Sequence, residues 1–179
     1  MTWTAPMTAV DGDIFTASQY NTHVRDNLME TERATGTAAG QYFVTTGTNS
    51  ISPRIGGSQT VNTESATTNS SFGNLPSAGP AVTLTTGENA LCIFKVRGWH
   101  NSNDVSWQVS VEVSGSTTIA ADATRAIVTD GRNGGSGNRL SFMGATRFTD
   151  LTPGTNTFTL KYWNTNGSFQ SRHLAVIPV

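Results

Sequence analysis

Residues 105–113 read Val-Ser-Trp-Gln-Val-Ser-Val-Glu-Val, and every second side chain is apolar. Successive side chains of an extended strand point to opposite sides, so Val105, Trp107, Val109, Val111 and Val113 share one face. Ser106, Gln108, Ser110 and Glu112 take the other. A one-residue slip of register would turn the whole apolar set into water, so the pairing of this strand is strongly specified. Trp107 belongs to the core by this reading. The pattern returns at Phe158, Leu160 and Tyr162, opposed by Thr157, Thr159 and Lys161, and again at Leu174 and Val176.

The run Leu91–Val96 differs, because it is apolar on both faces. In a sheet otherwise apolar on one side, this predicts an outer face covered by something. A subunit interface through Leu91, Ile93, Phe94 and Val96 is the expectation, with cover by the chain's own N-terminal arm as the other reading.

Turn residues punctuate these runs at 75–80, 86–89, 101–104, 114–116, 130–138, 152–154 and 164–167. That spacing predicts seven or eight strands between 59 and 179. Charged residues make up 13% of the chain, against ~25% in ordinary globular proteins. Ser, Thr, Asn and Gly must therefore supply the polar surface, and Thr suits a pleated sheet. The fold class expected is mainly β, an antiparallel β-sandwich (jelly roll) with a short N-terminal α-helix and an extended arm.

The helix signal lies at 16–33. Thr16 and Gln19 have capping-box spacing, and Phe15 and Tyr20 have the spacing of a hydrophobic staple. Tyr20, Val24 and Leu28 form a narrow i, i+4, i+8 stripe, with Gly36 as a stop. A helix of this length is marginal alone, so the stripe needs a partner. Trp3, Phe15, Tyr20, Val24 and Leu28 are the expected anchoring residues, docked on another subunit or a larger assembly, with folding back on the chain's own sandwich as the other reading. Small residues dominate 34–58, which predicts a linker. The division expected is an anchoring segment at 1–35, an extended arm at 36–58 and the sandwich at 59–179.

Several function classes are disfavoured. The net charge is −1 and the basic residues are scattered, so no nucleic-acid partner is expected. No apolar run approaches a membrane span, so no membrane partner is expected, and the first residues lack the pattern of a secretory signal. Cys92 is alone and has apolar neighbours, which predicts a buried thiol and synthesis in a reducing cytoplasm. His23, His100 and His173 fall in no metal-binding spacing. There is no Gly-x-Ser-x-Gly elbow, and the glycine-rich stretch 131–137 lacks the lysine of a phosphate loop. Asp11-Gly12-Asp13 lacks the remaining ligands of a calcium loop. Neither an enzyme nor any cofactor or metal is expected. Aromatic residues on a Ser/Thr/Asn-rich sandwich can stack on sugar rings, which makes Trp163, with Arg172 nearby in sequence, the candidate glycan contact.

Two stretches carry a family likeness. Trp3-Thr4-Ala5-Pro6, followed by the segment from Phe15-Thr16-Ala17 through Asn21-Thr22-His23-Val24-Arg25-Asp26-Asn27-Leu28, resembles the N-terminal segment of virion proteins from phages of actinobacteria. The end of the chain, from Leu151-Thr152-Pro153-Gly154 to Ile177-Pro178, looks like the closing strands of their small jelly rolls. The resemblance implies a homotrimer on the virion surface, with the N-terminal segment as anchor and the sandwich outward. It implies other virion proteins as partners, either the major capsid protein or tail proteins. The chain has no long shaft or collagen-like repeat, so a capsid decoration protein or head fibre is expected. A minor tail protein that contacts host surface glycans is the alternative.

Overall fold

The structure, a computed structural model, describes residues 7–8, 11–12, 14–25, 37–47, 50–100, 106–129 and 139–179. The chain divides into two compact units, 1–53 and 54–179.

In the first unit, α1 (Ala17–Tyr20) is a single turn, followed by a π-turn at Asn21–Arg25. Its start is specified as the sequence implies. The Thr16 hydroxyl accepts from the Gln19 backbone N–H at 3.2 Å, and the Gln19 carboxamide accepts from the Thr16 N–H at 2.9 Å. Each satisfies an amide that helix geometry leaves without a partner. The Phe15 and Tyr20 rings meet edge to face at 6.1 Å. Trp3, Leu28 and the expected helix beyond Arg25 lie outside the described residues. Within the stretch read as a linker, β1 (Gln41–Gly47) and β2 (Ser50–Ile55) pair in a two-stranded sheet.

The second unit is an antiparallel β-sandwich of jelly-roll-like form. It contains β3 (Gly57–Val61), β4 (Ser65–Gly73), β5 (Ala81–Thr86), β6 (Ala90–His100), β7 (Trp107–Gly115), β8 (Ile127–Thr129), β9 (Leu140–Phe148) and β10 (Gly154–Pro178). The 25-residue β10 organises it. Its first half lies between β5 and β7, with Phe158 opposite both Val82 and Val113. Its second half lies between β3 and β6, with Leu174 opposite both Gln59 and Phe94. One strand thus serves two leaves, β5–β10–β7–β8 and β3–β10–β6–β9, and β4 runs beside its middle.

The residues at 164–167 do not end a strand, contrary to the turn expected there. Asn164 Oδ1 accepts from the Asn166 N–H at 2.8 Å, the pairing registers shift, and the strand continues. This is how a bulge bends a strand without ending it. Gly167 is required at the bend, since a Cβ there would lie 2.6 Å from the Trp99 carbonyl oxygen.

The leaves close on one core. Val109, Val111, Val113, Phe158, Leu160 and Tyr162 from the first are fully buried, as are Ala90, Cys92, Val96, Leu174 and Val176 from the second. Aromatic edges cross the gap: Trp107 to Phe142 at 5.1 Å, Trp107 to Phe169 at 5.3 Å, and Phe148 to Phe158 at 5.8 Å. The polar face of β7 is itself covered. Ser110 Oγ donates to the Asp122 carbonyl at 2.9 Å and accepts from its N–H at 3.2 Å, which fixes the 3-10 turn Ala123–Arg125 beside the strand.

Candidate interaction surfaces

The doubly apolar β6 splits by parity. Phe94 and Val96 point inward and are 1% and 0% exposed. They are consumed by the core of their own sandwich, which removes them from the expected subunit interface. Leu91 and Ile93 occupy the outer face and are partly exposed. The register sets Leu91 between Ile177 of β10 and Arg147 of β9. Ile93 lies between Ala175 and Ala145, and Lys95 between His173 and Met143. Three neighbouring strands therefore present Leu91, Ile93, Ala145, Met143, Ala175 and Ile177 on one surface. Met143 is 75% exposed. Lys95, Arg97 and Arg147 border this patch, and Arg147 reaches the Asn89 carboxamide at 3.4 Å. Of the patch residues, the sequence pattern marks Leu91 and Ile93 of β6 but not the contributions of β10 and β9. The signal for β9 was the same two-sided apolarity, interrupted by Gly144.

Arg172 does not reach the surface. It is 0% exposed, and alternation places it inward with Leu174 and Val176. Its guanidinium donates to the Ser77 carbonyl at 3.1 Å, the Ser77 hydroxyl at 2.7 Å and the Thr63 carbonyl at 3.0 Å. It also lies 5.7 Å from the centre of the Tyr162 ring. This is a structural clamp between the β3–β4 turn and the loop before β5. A glycan contact by Arg172 is excluded by its burial.

Trp163 lies on the opposite side of β10 from the inward Tyr162 and is half-buried against Phe72, ring centres 6.0 Å apart. Lys161, two residues earlier on the same side, bonds Glu112 at 2.9 Å and the Asn74 carboxamide oxygen at 2.8 Å. Beside Asn74 is an open groove of about 400 Å³, lined by Ala66, Thr68, Asn69, Asn74, Leu75 and Pro76. Its walls combine amides, a hydroxyl and apolar edges, and the Asn69 amide nitrogen is already engaged with the Asn74 and Tyr162 carbonyls at 3.1 and 3.4 Å.

The anchoring residues that are described carry much open surface. Ile14, Phe15 and Tyr20 are 85%, 52% and 50% exposed, and Val24 is partly exposed.

Reactive groups are placed for structure. Burial pushes the Cys92 thiol up to about 12, which leaves it protonated and inert at neutral pH. The Thr124 hydroxyl and then its N–H hold the Asp122 carboxylate below its ordinary range, as a turn cap. The His173 imidazole meets the Thr60 hydroxyl at 2.8 Å, but its cross-strand neighbour is Lys95 rather than an orienting carboxylate. Among the described residues no three of His, Cys, Asp and Glu are grouped to hold a metal, and no helix is long and apolar enough to cross a membrane.

No protein-family model and no curated protein matches this sequence. Among solved structures, the sandwich is similar to the VP2 subviral particle of infectious bursal disease virus, at TM-score 0.48 and 12% identity over 68% of this chain and 32% of that one. The T=1 particles derived from the same virus give TM-score 0.45 and 12% identity over 74% and 35%. A Paenibacillus cycloisomaltooligosaccharide glucanotransferase follows, at TM-score 0.33 and 18% identity over 67% and 18%. The chain spans about a third of the VP2 chains it matches, and at these scores the fold rests on the strand register described above.

Proposed function

We propose that this chain is a non-enzymatic virion structural protein, a homotrimeric capsid decoration protein or head fibre. Its N-terminal segment, 1–35, anchors it to other virion proteins, and its sandwich is displayed outward through the arm at 36–58. The observation that carries this is a capped N-terminal turn whose large apolar side chains are open, set in a compact unit separate from the sandwich. A group of large apolar side chains on a surface marks an interaction site. The phage-virion likeness of the same residues supplies the kind of partner. Removal of residues 1–35 should abolish attachment to particles, while residues 54–179 keep a cooperative unfolding transition. Attachment that survives the deletion would contradict the anchor.

The partly exposed Phe72–Trp163 pair favours a second reading, a minor tail protein that holds host surface glycans. That reading requires Trp163→Ala to reduce adsorption to host cells, and the decoration reading requires adsorption to be unchanged.

A further inference from the structure

The charges of this chain are divided unevenly along it. Residues 1–35 hold five carboxylates (Asp11, Asp13, Asp26, Glu30, Glu32) against two arginines, Arg25 and Arg33. The remaining residues hold seven carboxylates against nine Lys and Arg. The anchoring segment is therefore acidic and apolar, with Ile14, Phe15 and Tyr20 exposed.

The outer face of β10, β6 and β9 has the converse character. Its centre is Leu91, Ile93, Ala175 and Met143, and its border is Lys95, Arg97 and Arg147. The carboxylate near its far end, Glu64, is already paired with Arg139 at 3.8 Å, and Arg139 stacks on Trp99. Two such faces from two copies would oppose cation to cation. An acidic, apolar segment matches both the centre and the border.

We propose that this face receives the N-terminal segment of a second copy, so that neighbouring subunits are joined by exchanged arms. The inference rests on the reading of residues 1–35 as an anchor and gives that anchor a neighbouring subunit as its first partner, so that other virion proteins are met by the assembled ring. Apolar contact supplies the affinity, and the border cations choose the acidic segment over another copy of the basic face. One face receives one arm, so each subunit both gives and takes, and a closed ring satisfies every face.

The test uses the full chain, with equal parts of unlabelled and ¹⁵N-labelled protein mixed after unfolding and refolded together. A carbodiimide joins carboxylates to lysine without a spacer, and the exposed Lys95 is the reporter. Mixed-isotope links from Lys95 to the carboxylates of residues 11–32 are expected, with a trimer in native mass spectrometry. Lys95→Glu with Arg147→Glu changes two exposed side chains, and its urea unfolding transition should match that of the parent. It should weaken association at least about tenfold at physiological salt, and Glu30→Lys with Glu32→Lys in the same chain should restore it. Links confined to one isotope, or a trimer that survives the Lys95/Arg147 reversal, would overturn the arm exchange and leave the anchor reading standing. A full chain that stays monomeric at high concentration, and that neither attaches to particles nor loses anything on removal of residues 1–35, would overturn both.

Discussion

Replacement of Arg172 by Met should cost about 3 kcal/mol of stability, even though it removes a buried charge that has no carboxylate partner among the described residues. Hydrogen bonds to a charged group contribute roughly 1.5–3 kcal/mol each, net of desolvation. The guanidinium makes three, to the Ser77 carbonyl, the Ser77 hydroxyl and the Thr63 carbonyl. They are not additive, because Thr63 is exposed and Ser77 partly so, and water can return to both once the side chain is gone. One full bond and a fraction of the others then remain as the loss. The opposing effect is relief of the desolvated charge. It can make an apolar replacement of a buried ion pair neutral or better, but there both charges are removed together. Here the carbonyls stay, and the clamp between two turns is lost. For a domain of this size the shift in Tm is on the order of 10 °C. Arg172→Lys should fall between, since an ammonium lacks the planar fork that spans Ser77 and Thr63. Thermal and urea unfolding of the full chain read both variants. A Met variant within about 0.5 kcal/mol of the parent would refute the clamp.

Further outcomes follow from the same structure. Cys92 should resist iodoacetamide at pH 8 in the folded chain and react once urea unfolds it, which mass spectrometry reads directly. Its pKa is raised from 9.0 to about 12 by burial, so the stability it contributes is complete below pH 9 and is lost as pH rises towards 12. The slope attributable to this thiol, at most about 1.4 kcal/mol per pH unit, should vanish in Cys92→Ala. Asp122 has the opposite sign: its pKa is depressed, so its contribution is present above the ordinary carboxylate range and falls away in acid, and Asp122→Asn should flatten that acid limb in pH-dependent melting. Gly144→Ala should destabilise the sandwich by about 1–3 kcal/mol in urea, because the new Cβ would lie 2.7 Å from Ile127 across a packed layer.

The parts of the fold legible in sequence were those set by local period. Val109, Val111, Val113 and Trp107 are inward because alternation leaves them no other face, and the Thr16 capping box forms because its partners are three residues apart. What was not legible depends on distant segments. Ser110 looks like a solvent residue until Asp122 is brought over it by the crossing loop. The break at Asn164–Gly167 has the composition of a turn, but partners on both sides hold the strand together through it. Arg172 was misplaced for a different reason. It lies near Trp163 in sequence, but its parity with Leu174 and Val176 places it inside. For the candidate surface, two-sided apolarity pointed to Leu91, Ile93, Phe94 and Val96, of which only Leu91 and Ile93 face outward. The neighbouring Met143, Ala175 and Ile177 needed the strand order, which no local pattern contains.

Cryo-electron microscopy of the intact particle would show where the protein sits and with what symmetry. Sandwich-sized densities are expected in threes on the capsid surface, attached to it on the side of their N-terminal ends. Density found only at the tail tip, or single copies attached through the sandwich with the N-terminal end pointing outward, would contradict the proposed arrangement.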